Sequence, residues 1–499
     1  MKKKVIIIGA GISGLSAGCY LQMNGYDTEI FELHSLPGGL CTSWNRGDYT
    51  FDGCIHWLVG STPNHEFYNL WNEIVDMKKI DFIEFDVYNR FEDKDGNSLT
   101  YFTDADKLEA ELLRIAPEDK ITIKDFIKAV KKFSSFSTPV DKAPETSSLL
   151  DGIKIALKVI PYMGLYKKWL NISVNDFAEM FKNDFIRKAL KARPEDDMSA
   201  LFFVMMFAWM HKKSSGYPIG GSLNFAKQFE RKYLELGGKI HYKNKVTEIK
   251  VEKNSANGIK TENSEEYKSD YVISAADGYS TIFKMLGGKY TGKKFEEIYK
   301  SYKTFPSYIQ VSLGVNHNFG DKPHMLNFEL DKPLKIDGKT EIDKLNIRIF
   351  NFDNTMAPYG KTSMYTMLTT YNYDYWKNLR ENDREKYKEE KNRIANEVIE
   401  ILEKKLGNIK NNIEEIDVST PATVFRYTNN WKGSYEGWMP SKQTGLMGFK
   451  KTLPGLNNFY MIGQWVEVGG GLPPAIMSGR NVTQVICKKD KKKFTTTHY

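Results

Sequence analysis

Cysteine is scarce in this chain, with four residues among 499 (Cys19, Cys41, Cys54 and Cys487). They form no CxxC pair and no disulfide-scaffold spacing, which argues against a structural zinc site and fits a reducing compartment. No long apolar run is present either. The longest, Ala200 to Met210, is about half of what a membrane-spanning helix needs. Strand-like sequence begins at Val5, so no signal peptide is expected, and a cytoplasmic protein is. Concentrated positive charge is also missing. The net charge of +8 comes from scattered lysines, mixed with glutamate along 375–405 as on solvated helix faces, and the one dense run is Lys488 to Lys493 in the tail. A nucleic-acid partner is therefore not expected, whereas contact with an anionic membrane surface stays open. No serine triad, zinc cluster, carboxylate pair or internal repeat stands out, and no metal is expected.

What is present is ample. The length suits two or three domains, and 41% hydrophobic residues provide a full core. Aromatics at 13% and 18 methionines fit a large apolar cavity, and equally well ordinary core packing.

The first forty residues carry the main signal. Val5 to Ile8 is a continuous apolar run, as in a parallel strand covered on both faces. Gly9, Gly11 and Gly14 follow at dinucleotide spacing: one for a sharp turn, one for close approach of a pyrophosphate, one for packing of the next helix. Ile12, Leu15, Cys19 and Met23 keep helical spacing up to a stop at Asn24-Gly25. Thr28 to Phe31 reads as a second strand ending at Glu32, whose carboxylate suits two ribose hydroxyls and repels a 2′-phosphate. Strand, glycines, helix, strand and acid occur in register, which a lone glycine motif would not supply.

Pro37-Gly38-Gly39-Leu40-Cys41-Thr42 adds a second glycine turn just after the acid. This resembles the extended FAD fingerprint of the superfamily that contains amine oxidases and phytoene desaturases. Many amine oxidases have an arginine after the glycine pair; here Leu40 stands there. Residues 239–277 resemble the stretch where that superfamily returns to its FAD sheet, with Val246 meeting the adenine; the alternative is a β-meander without a ligand. Phe459 to Ile462, Gly463, Gln464 and Gly469 to Gly471 before a helix starting near Pro473 resemble the third FAD segment. A helix amino terminus there suits flavin and ribityl oxygens. Many relatives carry an acid where this chain has Gln464.

With Phe51-Asp-Gly-Cys-Ile-His-Trp57, Thr420 to Tyr427 and Lys432 to Trp438, the chain resembles the group of phytoene desaturases, carotenoid isomerases and retinol saturases. The resemblance implies an α/β fold: a Rossmann-type, glutathione-reductase-like FAD-binding domain from residues 1–61, 214–290 and 415–487. An α+β substrate region from 62–213 and 291–414 would be inserted in it, with a basic tail at 488–499. FAD would be held non-covalently by Gly9, Gly11, Ile12, Ser13, Gly14, Glu32, Gly38, Gly39, Leu40, Val246, Gly463, Gln464, Gly471 and Leu472.

The implied activity is oxidoreduction at a C–C or C=C bond of an apolar isoprenoid or polyene: desaturation, saturation or isomerisation. A flavin amine oxidase and a non-enzymatic escort of prenylated proteins are the alternatives; Leu40 opposes the first, and the intact fingerprint with Glu32 opposes the second. No second glycine fingerprint is visible for a nicotinamide, so the electron partner stays open. His56 and Glu467 are the candidate proton carriers, against a structural histidine and a salt bridge from Glu467 to Arg480. Arg426 is a candidate for a polar substrate end, with surface pairing as the alternative. Leu149 to Leu170 mixes large apolar residues with lysines. It is expected to be an amphipathic helix broken at Pro161, with Lys167, Lys168 and Trp169 suited to a headgroup layer, or else packed on its own domain.

Overall fold

The computed structural model describes residues 2–191, 198–445 and 448–497. The strand Lys4–Ile8 is buried beyond its first residue and lies at the centre of a five-stranded, wholly parallel sheet. From one edge to the other, the strands are Lys239–His241, Asp27–Phe31, Lys4–Ile8, Tyr271–Ser274 and Phe459–Met461. Three distant stretches of chain thus build one Rossmann-type layer. The register pairs Ile8 with both Phe31 and Ser274, and Ser274 with Met461. All carboxyl ends therefore finish along one edge, the edge at which open parallel sheets bind ligands.

The helix Ile12–Met23 packs between the last helix, Leu472–Lys489, and the helix Gly221–Glu235. Residues 12–21 are all buried, so this helix has no wet face. Missing side chains allow such close packing. A Cβ on Gly14 would sit 2.0 Å from the Gly9 carbonyl oxygen, and one on Gly479 would sit 2.6 Å from the Ala17 nitrogen. Across the same interface Arg480 grips Glu73 with two hydrogen bonds of 2.8 and 3.0 Å, and Tyr20 adds a third at 2.7 Å. The salt bridge expected between Arg480 and Glu467 is not formed, because the buried Glu73 takes the guanidinium.

An antiparallel meander of residues 246–268 lies over the parallel sheet. The inserted region holds a seven-stranded mixed sheet, in the order 413–419, 307–315, 362–370, 341–349, 325–335, 87–92 and 98–102. Residue 415, an expected boundary, falls inside an edge strand of this sheet. Helices between 105 and 211 form a separate apolar core. Ala200–His211 is buried there, the packing role that its apolar sequence allows.

The stretch 149–170 is helical over Leu149–Val159, turns at Ile160–Tyr162 and resumes over Met163–Leu170. Pro161 lies in that turn, where its missing N–H ends the first helix. Leu149, Leu150, Ile153, Leu157 and Ile160 are exposed, Leu149 by 90%. Trp169, expected at a membrane surface, is instead fully buried against Phe126 and Phe177, and Lys168 pairs with Asp125. Among the described residues, no helix is long and apolar enough to cross a membrane.

Candidate active site

A long cleft opens at the carboxyl edge of the parallel sheet, lined from all three stretches of chain that build that sheet. Its floor is the turn after the first strand. Gly9 has φ of +100°, and Gly38, with φ of +103°, donates its N–H to the Ala10 carbonyl at 2.8 Å. A Cβ on Gly38 would lie 2.2 Å from the Cys41 carbonyl oxygen, so this second turn can only be glycine. A Cβ on Gly11, by contrast, meets no protein atom nearer than 3.9 Å. The empty space beside Gly11 belongs to the cleft.

Two helices aim their amino termini here. Neither Gly11 nor Gly471, the residues that precede them, receives a side-chain cap, so dipole and first-turn donors are left for an anion. The last helix offers fewer donors than its position suggests. Pro473 and Pro474 have no N–H and Ala475 bonds the Gly471 carbonyl, which leaves Leu472. At the other end, Glu32 is buried, and its two oxygens accept N–H bonds from Ala10 at 2.7 Å and His34 at 2.8 Å. Burial raises its pKa, opposed by those backbone bonds. Each oxygen keeps a second lone pair for a ribose hydroxyl.

Of the residues expected to hold FAD, Gly9, Gly11, Ile12, Ser13, Glu32, Gly38, Gly39 and Leu40 line the cleft. Val246, Gly463, Gln464, Gly471 and Leu472 join them from the other two segments. Gly14 does not; it serves the strand–helix packing described above. Gln464 is partly engaged, donating to Asn430 Oδ1 at 3.0 Å, which Trp465 Nε1 also meets at 2.7 Å.

The two candidate proton carriers are not among the cleft-lining residues. Glu467 accepts from Ser478 Oγ at 3.1 Å and faces Lys451 at 3.6 Å. Ser478 Oγ accepts the Gly463 N–H at 3.0 Å, so the Glu467 carboxylate reaches that turn through Ser478, while its own N–H donates to the Gly463 carbonyl at 2.9 Å. His56 opens on a separate, small cavity with Trp57, Glu84, Phe85, His324 and Arg348, with room for about one water, and its Nε2 is 2.7 Å from Tyr365 Oη. The loop geometry explains this. Asp52, buried and raised in pKa by that burial, accepts from Cys54 N at 3.0 Å and from Ser222 N and Oγ at 2.6 Å each. The clamp turns Cys54 to the cofactor cleft and His56, two residues on, to the second cavity. Arg426 lines neither cavity; it is exposed and lies over the Tyr427 ring at 4.1 Å.

Sequence reading missed Asp277, Lys245, Tyr435, Glu436 and Asn430, all cleft residues. Asp277 was within reach, because it follows the strand Tyr271–Ser274 much as Glu32 follows its own. Burial pushes its pKa up to about 6, against hydrogen bonds from the N–H groups of Ser280 at 2.7 Å and Trp431 at 2.8 Å. Tyr435 and Glu436 lie in the Lys432 to Trp438 stretch that carried the resemblance but were not singled out, and Lys245 and Asn430 sit in irregular chain where spacing carries no signal.

A Rossmann sheet with two uncapped helix termini, a ribose acid and a long cleft defines a dinucleotide-binding protein. The chain belongs to the flavin-containing amine oxidoreductase family, whose model matches residues 12–487. It is 27% identical to prolycopene isomerase 1 of an Oncidium hybrid cultivar, over 95% of this chain and 82% of that protein. It is 25% identical to a 4,4'-diapophytoene desaturase of a Methylomonas species, over 99% and 96% of the two chains. With the phytoene desaturase of Rhodobacter capsulatus it shares 24%, over 97% and 94%. Among solved structures, an oxidoreductase from Methanosarcina mazei superposes with a TM-score of 0.60 at 14% identity, over 96% of this chain and all of that one. Putrescine oxidase bound to putrescine gives 0.61 at 13%, over 98% and 99%. These last two likenesses concern the fold. The protein is an FAD-dependent oxidoreductase.

Proposed function

We propose that this enzyme desaturates, saturates or isomerises carbon–carbon bonds of a polyene or other isoprenoid. The observation that carries the reading is near full-length similarity to proteins named as carotenoid desaturases and isomerases. Leu40 at the position where many amine oxidases carry arginine points the same way. Bound FAD supplies hydride exchange at its flavin ring. The chain's part is to hold and shield it: Glu32 takes the ribose, the uncapped helix that starts at Ile12 faces the pyrophosphate, and Lys245 and Val246 flank the adenine side. The discriminating experiment adds phytoene, prolycopene or putrescine without oxygen to the flavin-loaded protein, once with the flavin oxidised and once photoreduced. Bleaching of the oxidised flavin by a polyene, reoxidation of the reduced flavin by one, or an isomerised product in either state supports the reading. Turnover with putrescine and none with either polyene rejects it.

Substrate of this kind resides in lipid. The exposed face formed by Leu149, Leu150, Ile153, Leu157 and Ile160 is the proposed contact with an anionic bilayer. Lys154 and Lys158 are exposed on the same helix, and its one acid, Asp151, is occupied by Lys142 at 2.7 Å and by capping Ser148. An apolar stripe among unpaired-sign lysines is the pattern of an interfacial helix.

A further inference from the structure

We propose that Cys41 and Cys54 are a redox pair on the wall of the cofactor cleft: two thiols that close to a disulfide by passing two electrons to bound flavin. The inference needs only a bound FAD and does not depend on the polyene reading. No CxxC spacing joins these residues, yet the fold sets them face to face. In the hairpin of Ser43–Arg46 and Tyr49–Asp52, Ser43 pairs with Asp52 and Trp44 with Phe51. The Gly53 N–H donates to the Thr42 carbonyl at 3.0 Å, which carries the register one residue past the strands. The next pair in that register is Cys41 with Cys54. Facing residues of an antiparallel pair stand about 4.5–5.5 Å apart at Cα, inside the roughly 4.4–6.8 Å that a disulfide spans.

The side chains meet where the backbone directs them. Contact with the Cys54 thiol, followed by burial, pushes the Cys41 thiol well above its usual range. Cys41 is 2% exposed, and its Sγ donates to the Ser222 carbonyl at 3.3 Å. Ser222 Oγ in turn bonds Asp52, which accepts the Cys54 N–H, so one clamp fixes both cysteines. Both line the cofactor cleft, and Cys54, only half-buried, is the member open to it. Cys19 and Cys487 are buried and line neither cavity.

Cys54 is thus placed to meet the flavin, and Cys41 behind it completes the bond. Both S–H bonds break, one S–S bond forms, and two electrons with two protons go to the oxidised flavin. The reverse reaction returns the thiols. Dithiol and flavin each exchange electrons in pairs, so neither needs a radical stage to serve the other.

The test is a dithionite titration, without oxygen, of flavin-loaded protein that has stood in air, with alkylation and peptide mapping of the unfolded chain before and after. Wild type is expected to take up about four electrons per flavin, and Cys41→Ser and Cys54→Ser about two. Before the titration Cys19 and Cys487 should alkylate while Cys41 and Cys54 do not; afterwards all of them should. Flavin-free protein kept in the same air should alkylate at every cysteine. A wild-type uptake of about two electrons per flavin, with Cys41 and Cys54 free from the start, overturns the proposal without any variant having to fold. Loss of the same two thiols in the flavin-free protein also overturns it, because oxygen and not flavin would then be the oxidant.

Discussion

A side chain at Gly11 would project into space bounded by no protein atom within 3.9 Å, so nothing in the apoprotein resists it. Gly11→Val is therefore expected to fold and to purify without flavin, read from the visible absorbance per chain; normal flavin content would place the pyrophosphate elsewhere. Glu32→Ala removes a charged acceptor and should weaken FAD by about 1–3 kcal/mol, measured by titrating FAD back into stripped protein. At Asp277 the expectation concerns pH. Its folded pKa of about 6 lies above the ordinary 3.8, so the unfolded chain gives up the proton first. Its contribution to stability is fully present below pH 3.8 and is lost as pH rises through 6. Asp277→Asn should therefore gain on wild type between pH 4 and 7.5, by on the order of 3 kcal/mol from a shift of about two units. Urea unfolding at the two pH values checks it, and a difference that stays constant or falls contradicts the burial argument.

Among elements, the helix Leu149–Val159 offers a direct test of lipid docking, because Leu149, Leu150, Ile153 and Leu157 are exposed on it. Ile153→Ser with Leu157→Ser should abolish co-sedimentation with phosphatidylglycerol vesicles at low salt, with melting temperature and flavin content unchanged. Wild type that stays in the supernatant ends the idea. The Arg480–Glu73 pair is buried and bidentate, with side chains 11% and 8% exposed. Arg480→Met strands the Glu73 carboxylate and should cost about 3–5 kcal/mol in urea unfolding, most of it recovered in the double variant with Glu73→Leu. Neither feature was equally legible beforehand. The break at Pro161 and the apolar stripe follow from residue spacing, whereas Trp169 looked like an interfacial residue and is core. Amphipathic tryptophan suits both settings, and only the tertiary partners Phe126 and Phe177 decide. Arg480 had two acids to choose from, and the one 407 positions away in sequence won because it shares the helix interface.

At the scale of the molecule, the parallel sheet was readable wherever an apolar strand ran into glycine, because that junction is dictated locally by chain stereochemistry. That His56 lines a cavity apart from the cleft was not legible, since its direction depends on the Asp52–Ser222 clamp, a contact spanning 170 positions. The seven-stranded sheet was beyond reach for the same reason: it pairs residues 90–92 with 326–328. The cleft is lined from all three segments, so FAD bound there is expected to act as a clasp on the fold. Added FAD should raise the melting temperature of stripped protein in step with its concentration, as expected for a ligand of the native state alone. Denaturation should release all of it.

The helix Ile12–Met23 meets its mate, Leu472–Lys489, only across roughly 450 intervening residues. On a ribosome adding about 5–20 residues per second, the first glycine turn emerges roughly half a minute to a minute and a half before the last helix exists. Until then the groove along Ala17 that will receive Gly479 is bare, and the outer strand Phe459–Met461 has not been made. Flavin capture is consequently expected to wait for that helix, and a chain interrupted before residue 459 is expected not to retain FAD.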